Sequence, residues 1–250
     1  STAAGSTAAG TFVRQGGTLE LQQTTFGAVD VGLEPLTLHG VGVGATVQYA
    51  DAVGAIRNVA GDNKWAGTVS LQGDATDLSG PLLLNGFPVI ANGNTFFNVD
   101  TGSRLTITGA INNGVEVIKR GGGTLEYAGV FANTYDATTR ILEGTLELNK
   151  DRGINALINT VNIGSDRAGA PAATLRLVNS DQMRDDRGAF IHSSGLLDIG
   201  QTEGFGGTLV LVVAPNGAAD ITIGGAGTLT TNVDLNVFTQ GTGNPTGATI

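Results

Sequence analysis

The stretch Lys119-Arg120-Gly121-Gly122-Gly123-Thr124-Leu125-Glu126-Tyr127 is answered 21 residues later by Leu142-Glu143-Gly144-Thr145-Leu146-Glu147-Leu148. Each half places glycine before a short run in which apolar and polar residues alternate. Glycine adopts positive φ without a Cβ penalty, Thr suits a pleated edge, and every second residue of a strand points to one side. Gly-Thr-Leu therefore reads as a corner followed by a strand whose Leu turns inward. The unit occurs at Gly17-Thr18-Leu19, Gly123-Thr124-Leu125, Gly144-Thr145-Leu146, Gly207-Thr208-Leu209 and Gly227-Thr228-Leu229. Leu146 to Leu209 is 63 residues and Leu209 to Leu229 is 20, so a coil of about 20 residues accounts for the series.

Outward from this stretch, strand-length runs bounded by Gly, Asn and Asp fill the chain: Thr18 to Leu21, Leu36 to His39, Ala45 to Tyr49, Thr68 to Leu71, Leu82 to Leu84, Arg104 to Thr108 and Val115 to Ile118. They continue through Val161 to Ile163, Thr174 to Val178, Thr208 to Val213, Ile221 to Ile223 and Leu235 to Phe238. The one helical candidate, Ser180 to Ala189, lacks apolar residues at i, i+3, i+4 and i+7 and reads as a loop or single turn. The expected fold is all-β, a parallel β-solenoid (β-helix) of roughly 10–12 coils, open at both ends. At the usual strand spacing such a rod is on the order of 55–60 Å long.

Composition agrees with a narrow core. Gly numbers 40 of 250 residues, charged residues are 14%, and there is one Met and one Trp. Such small side chains suit coil-on-coil stacking, while the Val, Leu and Ile content argues against disorder. The formal net charge of −9 disfavours nucleic acid as a partner. Cysteine is absent, so no disulfide, thiolate metal site or cysteine nucleophile exists. No run approaches 18 consecutive apolar residues, and direct membrane insertion by a helix is not expected. Residues 1–10 read as a linker, with a thin first coil as the alternative, and residues 11–250 as one solenoid domain. Within it, Val13-Arg14-Gln15-Gly16-Gly17-Thr18-Leu19-Glu20 echoes Ile118 to Glu126, giving an internal repeat near 11–110 and 111–230.

Val117-Ile118-Lys119-Arg120-Gly121-Gly122-Gly123-Thr124-Leu125-Glu126, then Asn133-Thr134-Tyr135, Thr138-Thr139 and Leu142 to Leu146, resemble the autotransporter-associated β-strand repeats of large bacterial surface proteins. That pattern runs K-x-G-x-G-T-L-x-L, N-T-Y, T-T and x-G-T-L. Stretches from Glu34 to Gly67 and from Leu175 to Asp198 look like modules found beside it, so the likeness spans most of residues 11–230. The resemblance implies a right-handed solenoid carried outside a Gram-negative-type cell, and no catalytic site. The segment Gly243 to Ile250 shows no alternating membrane strand of an autotransporter barrel.

Side chains that could carry chemistry are few. Asp181, Asp185 and Asp186 form the densest acidic group, but Arg184 and Arg187 flank them, which reads as a solvated charge patch rather than a glycosidase pair. Trp65 reads as a packing residue, with stacking on a sugar ring as the alternative. His39 and His192 lie in no metal-ligand spacing, and no calcium-loop pattern occurs, leaving only stray Ca²⁺ on Asp62, Asp74 or Asp77. Gly40 to Gly44 and Gly121 to Gly123 precede no helix and read as turns, not phosphate loops. The expected function is thus a structural rod, spacer or fibre-forming segment, extracellular or on the cell surface, without enzymatic activity, cofactor or metal. Its expected partner is itself, head to tail or through further repeats. The alternatives are an adhesin that binds glycans or host surface through loops at Asn179 to Ala189 or Asp51 to Ala66, and a polysaccharide lyase or hydrolase.

Overall fold

A computed structural model describes residues 9–44, 52–73, 82–84, 87–89, 94–213, 218–225, 227–231, 235–239 and 247–249. The run Ala45 to Tyr49, residues 74–81 and most of the N-terminal linker lie outside these described residues.

The chain winds as a parallel β-solenoid around three sides. On the first face nine strands stack in one sheet: Leu19–Gln22, Ile56–Ala60, Asn94–Val99, Glu116–Arg120, Thr139–Ile141, Val161–Ile163, Ala189–Ile191, Leu209–Val213 and Leu235–Thr239. Nine more form the second face: Asp30–Val31, Asp62–Trp65, Arg104–Ile107, Thr124–Gly129, Gly144–Lys150, Ala173–Leu177, Gly195–Ile199, Ala218–Ile223 and Gly247–Thr249. A third face begins with Thr11–Val13, Leu36–His39, Val69–Gln72 and Ile111–Asn112. Beyond Ile111 it continues through irregular segments tied rung to rung by backbone hydrogen bonds, Thr134 N to Ile111 O, Asn133 N to Asn155 O and Ala156 N to Gln182 O. It ends on the parallel pair Thr202–Phe205 and Thr228–Thr231. Leu82–Leu84 lies outside the stack, pairing antiparallel with Phe87–Val89.

Alternation explains the packing. On the second face Leu105, Leu125, Leu146, Leu175, Leu197 and Ile221 stand directly over one another, each at most 1% exposed. Beside them runs the column Trp65, Ile107, Tyr127, Leu148, Leu177 and Ile199. Every such side chain is stabilised by roughly 1.5–3 kcal/mol of burial, and like residues stacked on like keep each layer the same thickness.

Rung length is not uniform. Successive partners on the second face are separated by 42 residues (Asp62 to Arg104), 20 (Leu105 to Leu125), 21 (Leu125 to Leu146) and 29 (Leu146 to Leu175). Excursions at the corners absorb the difference, and among the described residues each of the first two faces stacks nine strands. Those nine described strands span ~40 Å at ~4.8 Å per step.

The five Gly-Thr-Leu units distribute over all three sides. Those of Leu125 and Leu146 pair in register on the second face, Leu19 and Leu209 lie on the first, and Leu229 on the third. The 63-residue step from Leu146 to Leu209 therefore changes face instead of counting three coils. Gly144 shows why the corner takes glycine: φ is +69°, and a Cβ there would sit 2.4 Å from the Gly121 carbonyl oxygen.

Candidate functional site

Several residues that carry the family resemblance, Lys119, Asn133 and Tyr135 among them, are buried, while Gly122 and Thr134 are exposed. Lys119 occupies an inward position between Phe97 and Ile141, and its Nζ donates to the carbonyls of Arg120 (2.9 Å), Gly121 (2.6 Å) and Glu143 (2.9 Å). It thereby ties together two successive corners between the first and second faces. Burial pushes its pKa down to about 7, with Glu143 pulling the other way. Asn133 accepts from Ile111 N (2.9 Å) and donates to Ala156 O (2.8 Å), bridging three rungs of the irregular third side. Tyr135 is buried with its hydroxyl 2.8 Å from Thr139 Oγ1. The one signal for Lys119 was a charge at the inward position of an alternating strand.

Trp65 is fully buried, and its indole N–H donates to Glu34 O at 2.8 Å. It offers no face to a sugar, because its place in the inward column under Ile107 turns the ring into the core.

Asp181, Asp185 and Asp186 lie on the loop between the third and first faces and line an open cleft of about 430 Å³ with Gly153, Asn155, Met183 and Arg184. Asp181 pairs with Arg152 at 3.3 Å, and Asp186 with Arg184 through two contacts of 3.0 and 2.7 Å. Behind them Glu203, buried, accepts from the backbone N–H of Gln182 (2.8 Å) and Met183 (3.1 Å). Burial pushes its pKa up to about 7 against those two bonds, helped by the charges of Asp181 and Asp185. The readily protonated carboxyl of this cluster therefore faces backbone, while Asp181 and Asp186 at the surface face arginines.

A second cleft, about 530 Å³, opens at the corner of the first and second faces, with Arg57, Asn98, Asp100, Thr101, Arg120 and Glu143 in its lining. Two of its wall residues, Ala52 and Val53, precede the strand Ile56–Ala60; Val53 N donates to Val43 O (3.0 Å) and the next residue, Gly54, donates to Val41 O (2.9 Å). The first cleft draws Asp181 and Met183 to Asp186 from the stretch Asn179 to Ala189, whereas the second takes only Ala52, Val53 and Arg57 from Asp51 to Ala66, which is largely the strands Ile56–Ala60 and Asp62–Trp65 and not a loop.

Sequence reasoning missed the contact of Asp166 with the next rung. Its carboxylate accepts from His192 Nδ1 (2.8 Å), Ser193 N (2.9 Å) and Ser193 Oγ (2.9 Å). Burial alone would raise its pKa, but the bonds from His192 and Ser193 outweigh it and hold Asp166 below the usual range. The serine hydroxyl donates to the carboxylate, so Asp166 clasps the corner of the next rung through His192 and Ser193. Also unforeseen is a ladder along the outward second face, where Glu147 pairs with Arg104 (2.5 Å) and Arg176 (3.2 Å), and Arg176 with Asp198 (2.8 Å). Among the described residues no cluster of three His, Cys, Asp or Glu is arranged to hold a metal ion.

With this geometry in hand, comparison with known proteins finds no matching family model, curated protein or solved structure.

Proposed function

We propose that the chain is a structural module, a rigid rod, spacer or fibre-forming segment of a secreted or cell-surface bacterial protein of the autotransporter-repeat type. The observation that carries this reading is the stack itself: two faces of nine parallel strands each, with inward columns of Leu, Ile and Val running through the rungs. Buried charges such as Lys119 are spent on joining corners, and the ion pairs of the outward second face neutralise one another. Stability of this kind accumulates rung by rung and suits a load-bearing spacer. Among the described residues the outermost strands of the first face, Leu19–Gln22 and Leu235–Thr239, are each paired along one edge, and an edge of this kind can take a further rung or a second copy.

Electron microscopy of the purified chain and of the native cell surface tests the reading. Rods that lengthen end to end, or the chain's epitope on extended surface fibres, are the expected results. Isolated monomers in both settings would sink it.

A further inference from the structure

The cleft at the corner of the first and second faces is built from an ordered set of polar groups. Arg57, Asn98 and Arg120 are in register on three successive rungs and form one outward column, spanning ~10 Å at the usual strand spacing. The lining also holds the carboxylates Asp100 and Glu143 and the hydroxyl of Thr101, from the corners that follow the strands Asn94–Val99 and Thr139–Ile141. The trough is thus lined by N–H donors and carboxylate acceptors side by side.

These groups are fixed before any ligand arrives. Arg57 holds Asp100 with Nε (3.1 Å) and Nη2 (2.7 Å) and reaches Glu20 with Nη1 (3.3 Å), which uses three of the five N–H of a guanidinium. Its side chain and that of Asp100 remain 31% and 27% exposed. Arg120 lies over the ring of Phe96, 5.8 Å from its centroid, and donates to Ala52 O at 3.0 Å. Glu143 is steadied by the N–H of Gly121 at 3.2 Å. Strand-borne groups held by such secondary contacts keep their positions better than groups on free loops.

The lining decides what class of molecule fits. The two arginines and two carboxylates balance, so an anionic ligand such as a uronate or a sulfated sugar gains at Arg57 and Arg120 what it loses at Asp100 and Glu143, and a cationic one the reverse. Among the described residues an apolar ligand finds no exposed aromatic surface in the lining, since Phe96 is fully buried. A neutral, hydroxyl-rich molecule remains, because each hydroxyl both donates and accepts and can bridge the donors and the acceptors. We propose that this trough is a binding subsite for a neutral oligosaccharide lying along the rod axis across three rungs, with Arg57, Asn98 and Arg120 donating and Asp100 and Glu143 accepting. It goes beyond the rod reading and does not depend on it.

The test is titration of the whole chain with neutral gluco-, manno- and galacto-oligosaccharides, alongside oligouronates and a sulfated oligosaccharide, followed by calorimetry and by NMR of side-chain amides. Thr101 is exposed and its side chain lies over Gly122, so Thr101→Trp fills the trough without touching the core. Binding of at least one neutral series, a shift of the Asn98 side-chain amide, and a Kd weakened about tenfold or more in Thr101→Trp at unchanged melting temperature are expected. No neutral binder, preference for the acidic sugars, shifts confined to the Asp181 to Asp186 cleft, or unaltered affinity in Thr101→Trp would each overturn the proposal. The Asn98 shift in the parent chain stands as evidence should Thr101→Trp melt early.

Discussion

Lys119 stands in register with Ile141, one rung apart in the same inward column of the first face, and both side chains are fully buried. The ammonium is tolerated there because three carbonyls at the corner accept from it, where any of them left unpaired would cost about 1–3 kcal/mol. This position makes the fold sensitive to pH from inside.

The Lys119 pKa falls from 10.5 to about 7 on folding. Between those values the unfolded chain holds a proton that the folded chain has lost, so this group makes stability rise with pH across that window and contributes no slope below it. In Lys119→Met the contribution vanishes. The difference in melting temperature between parent and variant is expected to shift in the parent's favour from pH 7 to pH 9, and a constant difference would contradict the buried position.

Glu203 has the opposite sign. Its pKa is raised from 4.5 to about 7, chiefly by burial, so the folded chain binds the extra proton and stability falls as pH rises through that interval. Glu203→Gln cannot titrate, but its single carbonyl oxygen serves the N–H groups of Gln182 and Met183 less well, at about 1–3 kcal/mol. Melting curves at pH 5 and pH 8 should show the parent's advantage over the variant shrinking at the higher pH.

Leu125 lies between Leu105 and Leu146 with none of its surface exposed. Leu125→Ala is expected to lower stability by about 2–5 kcal/mol, and Leu125→Asp by more, because it adds an unpaired buried charge. Urea unfolding measures both, and an unchanged midpoint would refute the inward column.

Gly144 and Gly153 share positive φ, +69° and +76°, yet an added Cβ meets the Gly121 oxygen at 2.4 Å in the first and nothing within 4 Å in the second. Gly153→Ala should therefore cost only the left-handed strain, about 1–2 kcal/mol. Gly144→Ala should cost clearly more, since the neighbouring corner has to move. Equal losses in urea titrations would show that rung contact plays no part.

Strand existence, parallel stacking and inward Leu were readable because alternation and glycine corners are local signals. The face on which each strand lies was not. Gly17-Thr18-Leu19 and Gly123-Thr124-Leu125 spell the same corner, yet they enter different faces. A corner of this kind is chemically the same wherever the chain turns, so spacing alone could not assign it. Rung length was hidden by excursions such as residues 164–172, whose anchor is a carboxylate–histidine contact between Asp166 and His192, 26 positions apart. The cleft at Arg57 was not legible, because its chemistry depends on the column Arg57, Asn98 and Arg120, which exists only once the register is known.

The unequal rungs have a mechanical consequence. Hydrogen bonds between strands run along the rod while the covalent chain runs around it, so tension applied to the two ends peels rungs off in sequence. Each rung then releases slack in proportion to its own length, ~70 Å for the 20 residues between Leu105 and Leu125 and ~140 Å for the 42 between Asp62 and Arg104. Extension under force would be a staircase whose step sizes spell out the order of the rungs.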